Sequence, residues 1–131
     1  MMNTPSKLKY TNSDEWILVE GKIATLGVTD YAQEQLSDVV FVEITVSTGE
    51  SINKNTHVAT IESVKAAADV NIPCSGKVTE VNNALSNTPE IVNSDPFEKA
   101  WMIKFEISDP TELDNLMDDK TYSEYCSSRS H

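Results

Sequence analysis

Short runs of β-branched and aromatic residues, each closed by turn-forming residues, follow one another along most of this chain. Such runs are typical of β-strands, because branched and aromatic side chains pack well on a pleated sheet. Long helical repeats do not alternate with them, which favours a sandwich or barrel of antiparallel strands over a parallel α/β sheet. Gly21 supplies the turn of a first hairpin. The predicted strands occupy residues 16–20, 22–28, 39–44, 51–52, 56–62, 77–81 and 101–107.

Helical signals are short and lie at two places. Thr29 offers an N-cap for a helix over residues 29–36. Near the C-terminus, Asp109 followed by Pro110 predicts one helix start, and Thr121 repeats the capping pattern for a second. We therefore predict a single domain over residues 1–131, with a β core at about 8–107 and C-terminal helices at about 110–128 packed on the sheets. Residues 82–96 are predicted to be irregular.

The chain is strongly acidic, with a formal net charge of -11 and Arg129 as its single arginine. A phosphate backbone or an anionic membrane would be repelled, so we expect no nucleic-acid or membrane partner. No apolar run approaches the roughly 20 residues of a membrane span, and the start of the chain lacks a signal-peptide core. We expect a cytoplasmic location, or the mitochondrial matrix for a mature eukaryotic form.

The chain has few residues that could perform catalysis. Cys74 and Cys126 form no C-x-x-C arrangement and are predicted to be unpaired thiols. His57 and His131 are the only histidines, so neither a Cys-His pair nor a metal site is indicated. We find no phosphate-binding loop. The sequence therefore predicts a protein without catalytic residues or a metal.

Lys65 lies among small residues in the stretch Glu-Ser-Val-Lys-Ala-Ala-Ala-Asp, residues 62–69. The alanines, and the spacing of Glu62 and Lys65, fit a surface helix. The β-branched residues on both sides instead fit two strands with Lys65 at the tip of their turn. Residue patterns leave these alternatives open. In the second, the amine would be accessible for covalent attachment of an acyl group.

Residues 62–66, Glu-Ser-Val-Lys-Ala, resemble the lipoyl-attachment segment of the glycine cleavage system H-protein family. Further segments resemble that family in the same order, from about residue 8 to residue 126. They are Asp-Glu-Trp at 14–16, Gly-Val-Thr-Asp-Tyr-Ala-Gln at 27–33, Asp-Val-Val-Phe-Val-Glu at 38–43, Pro-x-Ser-Gly-x-Val at 73–78, Val-Asn-x-Asp-Pro at 92–96, and Trp101.

The resemblance implies a mainly β fold of the biotinyl/lipoyl type, a barrel-sandwich hybrid of two antiparallel sheets. Lys65 would carry lipoic acid in amide linkage on a hairpin. The lipoyl arm would take an aminomethyl group from a pyridoxal-phosphate glycine decarboxylase to a tetrahydrofolate-dependent aminomethyltransferase. Electrons would pass to dihydrolipoamide dehydrogenase. The protein would be a non-catalytic carrier and a monomer.

The resemblance also implies roles for neighbouring residues. Glu62, Ser63, Val64 and Ala66 would be recognised by the lipoylating enzyme. Ser13, Glu15 and Asp69 would contact the arm or its aminomethyl adduct, with the Glu15 carboxylate stabilising the cationic amine.

The chain departs from the family pattern at three positions: Asp14 replaces the usual histidine, Ala68 a common serine or threonine, and Ala100 the glycine before Trp101. If position 100 required positive φ, alanine would cost about 1 kcal/mol. Lipoyl domains of 2-oxo acid dehydrogenases usually have D-K-A around the lysine, and biotin carriers usually have M-K-M. The residues Val64 and Ala66 in this chain disfavour both classes of protein. The alternative function that stays open is a relay protein that donates lipoyl or octanoyl groups to other apoproteins.

Overall fold

The computed structural model describes residues 3–129, which form two antiparallel β-sheets with short helices between and after the strands. The larger sheet has the strand order β1-β2-β3-β9-β8-β5 and the smaller the order β4-β6-β7. The strands are β1 Lys9–Tyr10, β2 Glu15–Glu20, β3 Ile23–Val28, β4 Val39–Ile44, β5 Ser51–Ile52, β6 His57–Ser63, β7 Ala67–Asn71, β8 Gly76–Val81 and β9 Ile103–Ile107.

The two sheets share one hydrophobic core. Ile17, Leu26 and Phe105 of the larger sheet are fully buried in the same cluster as Ile61 and Val70 of the smaller one. Apolar side chains on one face of each strand therefore hold the sheets together by excluding water. The prediction of a mainly β fold with two antiparallel sheets is confirmed.

A second apolar cluster lies beneath the last helix. Tyr10 and Tyr122 stack with ring centroids 4.6 Å apart, and both side chains are fully buried. Helix α4, Asp119–Arg129, contributes Tyr122 and Cys126 to this cluster. The C-terminal helix thus packs on strands β1 and β2, as predicted.

Two of the other helical segments begin at a side-chain cap. In α1, Asp30–Leu36, the Thr29 hydroxyl accepts from the amide of Ala32, which confirms the predicted cap. Asp109 likewise accepts from the amide of Thr111 at the start of a 3₁₀ helix, Pro110–Asn115. Within the part of the chain that the structure describes, no helix is long and apolar enough to cross a membrane.

Several predicted boundaries were wrong. Residues 82–96 contain two single-turn helices, α2 Ala84–Asn87 and α3 Ile91–Ser94, which are too short to produce a helical repeat in the sequence. Helix α4 begins at Asp119 rather than Thr121, because the amide of Thr121 donates to Oδ1 of Asp118 at 2.8 Å. The last strand starts at 103, and the two-residue strand β1 was missed.

Candidate functional site

Lys65 lies at the tip of the hairpin formed by β6 and β7. Glu62 pairs with Ala67 and Thr60 with Asp69 in antiparallel register, and Val64 to Ala66 connect the two strands. The structure therefore decides between the two alternatives in favour of the hairpin. Because β6 also pairs with β4, the turn projects from a three-stranded sheet rather than from an isolated two-stranded ribbon.

Ser63 stabilises this turn through both its backbone and its side chain. The backbone amide of Ser63 donates to the carbonyl of Ala66 at 2.8 Å. Its hydroxyl oxygen accepts from the amides of Lys65 and Ala66 at 3.3 and 3.1 Å. On the β4 side, the amide of Val64 donates to the carbonyl of Asp38 at 3.0 Å. These bonds satisfy the turn amides, so the backbone around Lys65 is defined although its side chain is exposed.

The amine of Lys65 is available for reaction. Within residues 3–129, its Nζ has neither an ion-pair partner nor a hydrogen-bond partner. Val64 and Ala66 on either side are exposed too, and Ala66 and Ala67 offer no side-chain bulk beyond a methyl group. The side chain of Lys65 is therefore accessible from solvent.

A cavity of about 210 Å³ opens beside the tip, and we call it the tip groove. Its walls come from β3, β6, β7, helix α1 and the loop before β2, and most of the lining residues are apolar. Ser13, Asp14 and Asp69 supply its polar edge. The lining residues are Ser13, Asp14, Val28, Ala32, Gln35, Leu36, Ile61, Ala66, Ala68, Asp69 and Val70. A long acyl chain on Lys65 would find apolar surface here starting one residue from its attachment point.

Glu15 lies behind this groove rather than in its wall. Its side chain is 2% exposed and lines a separate cavity of about 490 Å³. The Thr11 and Ser13 hydroxyls donate to Oε1 at 2.6 and 2.7 Å, and the amide of Asn71 donates to Oε2 at 3.1 Å. Ser13 lines both cavities and therefore joins the buried carboxylate to the groove.

Burial raises the pKa of Glu15 because the charged carboxylate is deprived of water, and the hydrogen bonds from Thr11, Ser13 and Asn71 offset only part of this effect. The protonated form is thus favoured more in the folded state than in the unfolded one. Glu15 therefore contributes stability that is fully present below its ordinary pKa and is lost as the pH rises through its raised pKa.

Glu15→Gln tests the raised pKa of Glu15, because glutamine does not titrate. All other acidic residues are the same in the two proteins, so their effects on stability cancel in the comparison. We expect the wild type to gain stability relative to the variant as the pH is lowered from about 8 to about 5. Urea unfolding of both proteins across this range measures the difference. A difference that is constant with pH, or that changes in the opposite direction, would contradict the raised pKa.

Asp69 is largely exposed, with its carboxylate at the groove edge. The Nε2 atom of His57 lies 3.5 Å from Oδ1 of Asp69 and 2.9 Å from the hydroxyl oxygen of Thr60. The sequence did not indicate this neighbour, since the two residues become close only through the pairing of β6 with β7. The structure brings Ser13, Asp69 and Ala66 to the groove, whereas Glu62 is exposed on β6 opposite Phe41.

Asp14 is a groove residue whose role the sequence did not reveal. It has a φ of 72° and pairs through both carboxylate oxygens with Arg129, at 2.6 and 2.8 Å. The Tyr122 hydroxyl also donates to Asp14 at 2.8 Å. The Arg129 guanidinium stacks over the rings of Tyr31 and Tyr125, at 4.3 and 4.6 Å from their centroids. The end of the chain thus holds one wall of the groove.

Arg129→Met should lower the free energy of unfolding by about 2 kcal/mol, because it leaves a partly buried carboxylate without its bidentate partner. Lys120→Met is the matched control, since Lys120 is an exposed cation on the same helix. That change should stay within about 0.5 kcal/mol. Denaturant unfolding measures both; equal effects would show that the Asp14 contact contributes nothing specific.

Of the other two departures, Ala68 lines the tip groove and Ala100 does not. Ala100 is fully buried and is not among the described residues with positive φ, so alanine there carries no backbone strain.

Cys74 and Cys126 are buried and unpaired, as predicted, and burial raises the pKa of the Cys74 thiol to about 11. Within residues 3–129, no group of three or more His, Cys, Asp or Glu residues is placed to hold a metal ion.

Two packed antiparallel sheets with an exposed lysine on a hairpin beside a largely apolar groove fit the class of domains that carry a covalently attached acyl arm. Residues 8–129 match the sequence model of the family described as Glycine cleavage H-protein. The Glycine cleavage system H protein of Thermotoga maritima is 51% identical over 118 residues, which cover 90% of this chain and 94% of that protein. The mitochondrial Glycine cleavage system H protein of Flaveria pringlei is 51% identical over 119 residues, covering 91% and 73%.

A solved structure leads to the same family. The crystal structure of a glycine cleavage system H protein from Mycobacterium marinum matches with a TM-score of 0.81 and 28% identity, and the match covers 95% of this chain and 97% of that one. The chain belongs to the glycine cleavage H-protein family. It is a lipoyl carrier of the glycine cleavage system, is not itself an enzyme, and works with the other components of that system.

Proposed function

We propose that Lys65 is the residue that carries lipoic acid, in amide linkage through Nζ. The observation that supports this most directly is an exposed lysine, without a side-chain partner among residues 3–129, at the tip of a well-defined turn. The lipoyl group supplies, when bound, a disulfide that can take up an aminomethyl group and two electrons. The protein supplies a fixed attachment point, a groove lined with apolar side chains, and a surface that partner enzymes recognise.

The tip groove is the resting place of the arm in this proposal. Its apolar walls begin at Ala66 and match an alkyl chain, which gains free energy when it leaves water. At the polar edge, the Ser13 hydroxyl and the Asp69 carboxylate are placed to accept from an amine. Glu15 acts through Ser13 and through its charge, since a buried carboxylate attracts a cation more strongly than an exposed one does.

The lipoylating enzyme recognises the turn itself. Ser63 gives the turn its shape, and Glu62 presents an exposed negative charge three residues before Lys65. Val64 is 67% exposed, and Ala66 leaves room for the approach of an active site. The shape and charge of this segment, rather than the lysine alone, distinguish it from other surface lysines.

The whole chain acts as one carrier domain and as a monomer. Its arm visits a pyridoxal-phosphate glycine decarboxylase, a tetrahydrofolate-dependent aminomethyltransferase and dihydrolipoamide dehydrogenase in turn. Tethering keeps the reactive group at a high local concentration at each site. The location is the cytoplasm in a bacterium, or the mitochondrial matrix in a eukaryote.

Glycine-bicarbonate exchange tests this function. Lipoyl-loaded protein mixed with a glycine decarboxylase, pyridoxal phosphate, glycine and labelled bicarbonate should incorporate label into glycine, whereas the unloaded protein should give only background. Absence of exchange together with efficient transfer of lipoyl groups to other apoproteins would assign the chain to a lipoyl relay instead.

A further inference from the structure

The large hydrophobic side chains that are exposed within residues 3–129 all lie next to Lys65. Val40 is 55% exposed, Phe41 44% and Val64 67%. Phe41 pairs directly with Glu62, and the amide of Val64 bonds to the carbonyl of Asp38 just before β4. We call these three side chains the tip patch. Clusters of exposed apolar side chains in a small soluble domain commonly mark an interaction site.

A β-bulge places two of these side chains outside. The register between β4 and β6 shifts between Val39 and Phe41, so Val40 is the extra residue. Without the bulge, alternation along the strand would send one of two neighbouring residues inward. Instead Val39 and Val42 are buried, while Val40 and Phe41 both face water. Local backbone geometry therefore produces the patch.

The tip patch and the tip groove are separate surfaces. None of Val40, Phe41 and Val64 lines the groove, whose strand residues lie on β3, β6 and β7. In the order β4-β6-β7, the patch occupies the β4 edge and the groove extends to the opposite edge. A protein bound to the patch can therefore hold the tip without filling the groove.

The surroundings of the patch are acidic. Asp38, Glu43 and Glu62 are exposed beside it, on a chain whose formal net charge is -11. A partner that fits would offer an apolar pocket for Phe41 and Val64 with a rim of basic side chains. Such a rim would also attract this acidic chain from a distance.

We propose that the tip patch is the docking surface for the enzyme that acylates Lys65. This inference rests on the proposed function, in which Lys65 is the attachment site. The acylating enzyme must recognise the protein before any arm exists, so it has only the protein surface beside the amine to bind. The patch adjoins the tip turn and is the apolar part of that surface.

The test compares acylation of the variant Val40→Thr/Phe41→Thr with that of the wild type, using a lipoate-protein ligase, lipoate and MgATP. We expect KM for the apoprotein to rise about tenfold, with kcat unchanged within about twofold, because docking weakens while the bound lysine stays in reach. Val81→Thr, a valine-to-threonine change at a partly buried position on the other sheet, is the control and should leave both constants unchanged. Thermal unfolding verifies that each variant is folded.

A competition experiment keeps the proposal testable if the double variant folds poorly. Lys65→Arg protein with an intact patch should inhibit acylation of the wild type, whereas Lys65→Arg combined with Val40→Thr should inhibit it several-fold less. An unchanged KM and equal inhibition would overturn the docking proposal, provided that the wild type is acylated at Lys65. The docking proposal would also be overturned if the Val40→Thr/Phe41→Thr variant raised KM in the glycine decarboxylase reaction but left KM for acylation unchanged. A wild type that is not acylated at Lys65 would instead overturn the proposed function.

Discussion

Replacing Lys65 by arginine should leave the protein folded but without a lipoyl group and without carrier activity. Arginine keeps the positive charge and a similar length, but its guanidinium stays protonated at neutral pH and does not act as an acyl acceptor. The side chain at this position is exposed and has no partner in residues 3–129, so the free energy of unfolding should change by less than about 0.5 kcal/mol. The variant would thus lose carrier activity because it cannot be acylated, and not because it is unfolded.

Intact mass and peptide mapping measure this result in cells supplied with lipoate. Wild-type protein should carry a lipoyl or octanoyl increment on Lys65, and the variant should carry none. Glycine-bicarbonate exchange should fall to the background of the unloaded protein. Lys54→Arg is the matched control, because Lys54 is also an exposed lysine in a turn. A lipoyl group found on the Lys65→Arg protein would disprove the assignment.

The strands were largely predictable because their signal is local. Runs such as residues 39–44 and 77–81 show it in their own composition, and the structure has β4 and β8 at these positions. The hairpin around Lys65 was not decided in this way, since alanine-rich residues favour a helix locally. Pairing of β6 with β4, which lies some twenty residues earlier in the chain, decides it. Such long-range pairing outweighs the weak helical propensity of a few alanines.

The sequence singled out Ser13, Glu15 and Asp69 as candidates but did not indicate how deeply each one lies. Ser13 and Asp69 line the groove beside the tip, whereas Glu15 lies behind Ser13 with all its oxygens satisfied by donors. Nothing in the sequence distinguishes a carboxylate in the wall from one behind it. The part played by Asp14 was equally hidden, because it depends on positive φ and on Arg129 at the other end of the chain.

Gly27 explains a packing constraint between two of the segments that resemble the family, residues 14–16 and 27–33, and its replacement should strongly lower stability. It lies opposite Trp16 in the pairing of β2 with β3. A Cβ atom at position 27 would lie 2.6 Å from two carbons of the Trp16 ring and 2.7 Å from its nitrogen. Trp16 is 1% exposed, and its Nε1 donates to the carbonyl of Pro96 at 2.9 Å, so the ring has no open space to enter.

Gly27→Ala should therefore lower the free energy of unfolding by about 3 kcal/mol and the Tm by about 10 °C. Gly21→Ala is the control: φ there is +66° but no atom lies within 4 Å, so only backbone strain remains, at about 1 kcal/mol. Because the clash involves one ring, a smaller ring should relieve it. In a Trp16→Phe background, the cost of Gly27→Ala should fall by at least half, and strictly additive effects in this double-mutant cycle would refute the steric explanation. Trp16 directly follows Asp14 and Glu15 in the sequence. The packing of its ring, which excludes a side chain at position 27, therefore also fixes the loop that forms one edge of the groove.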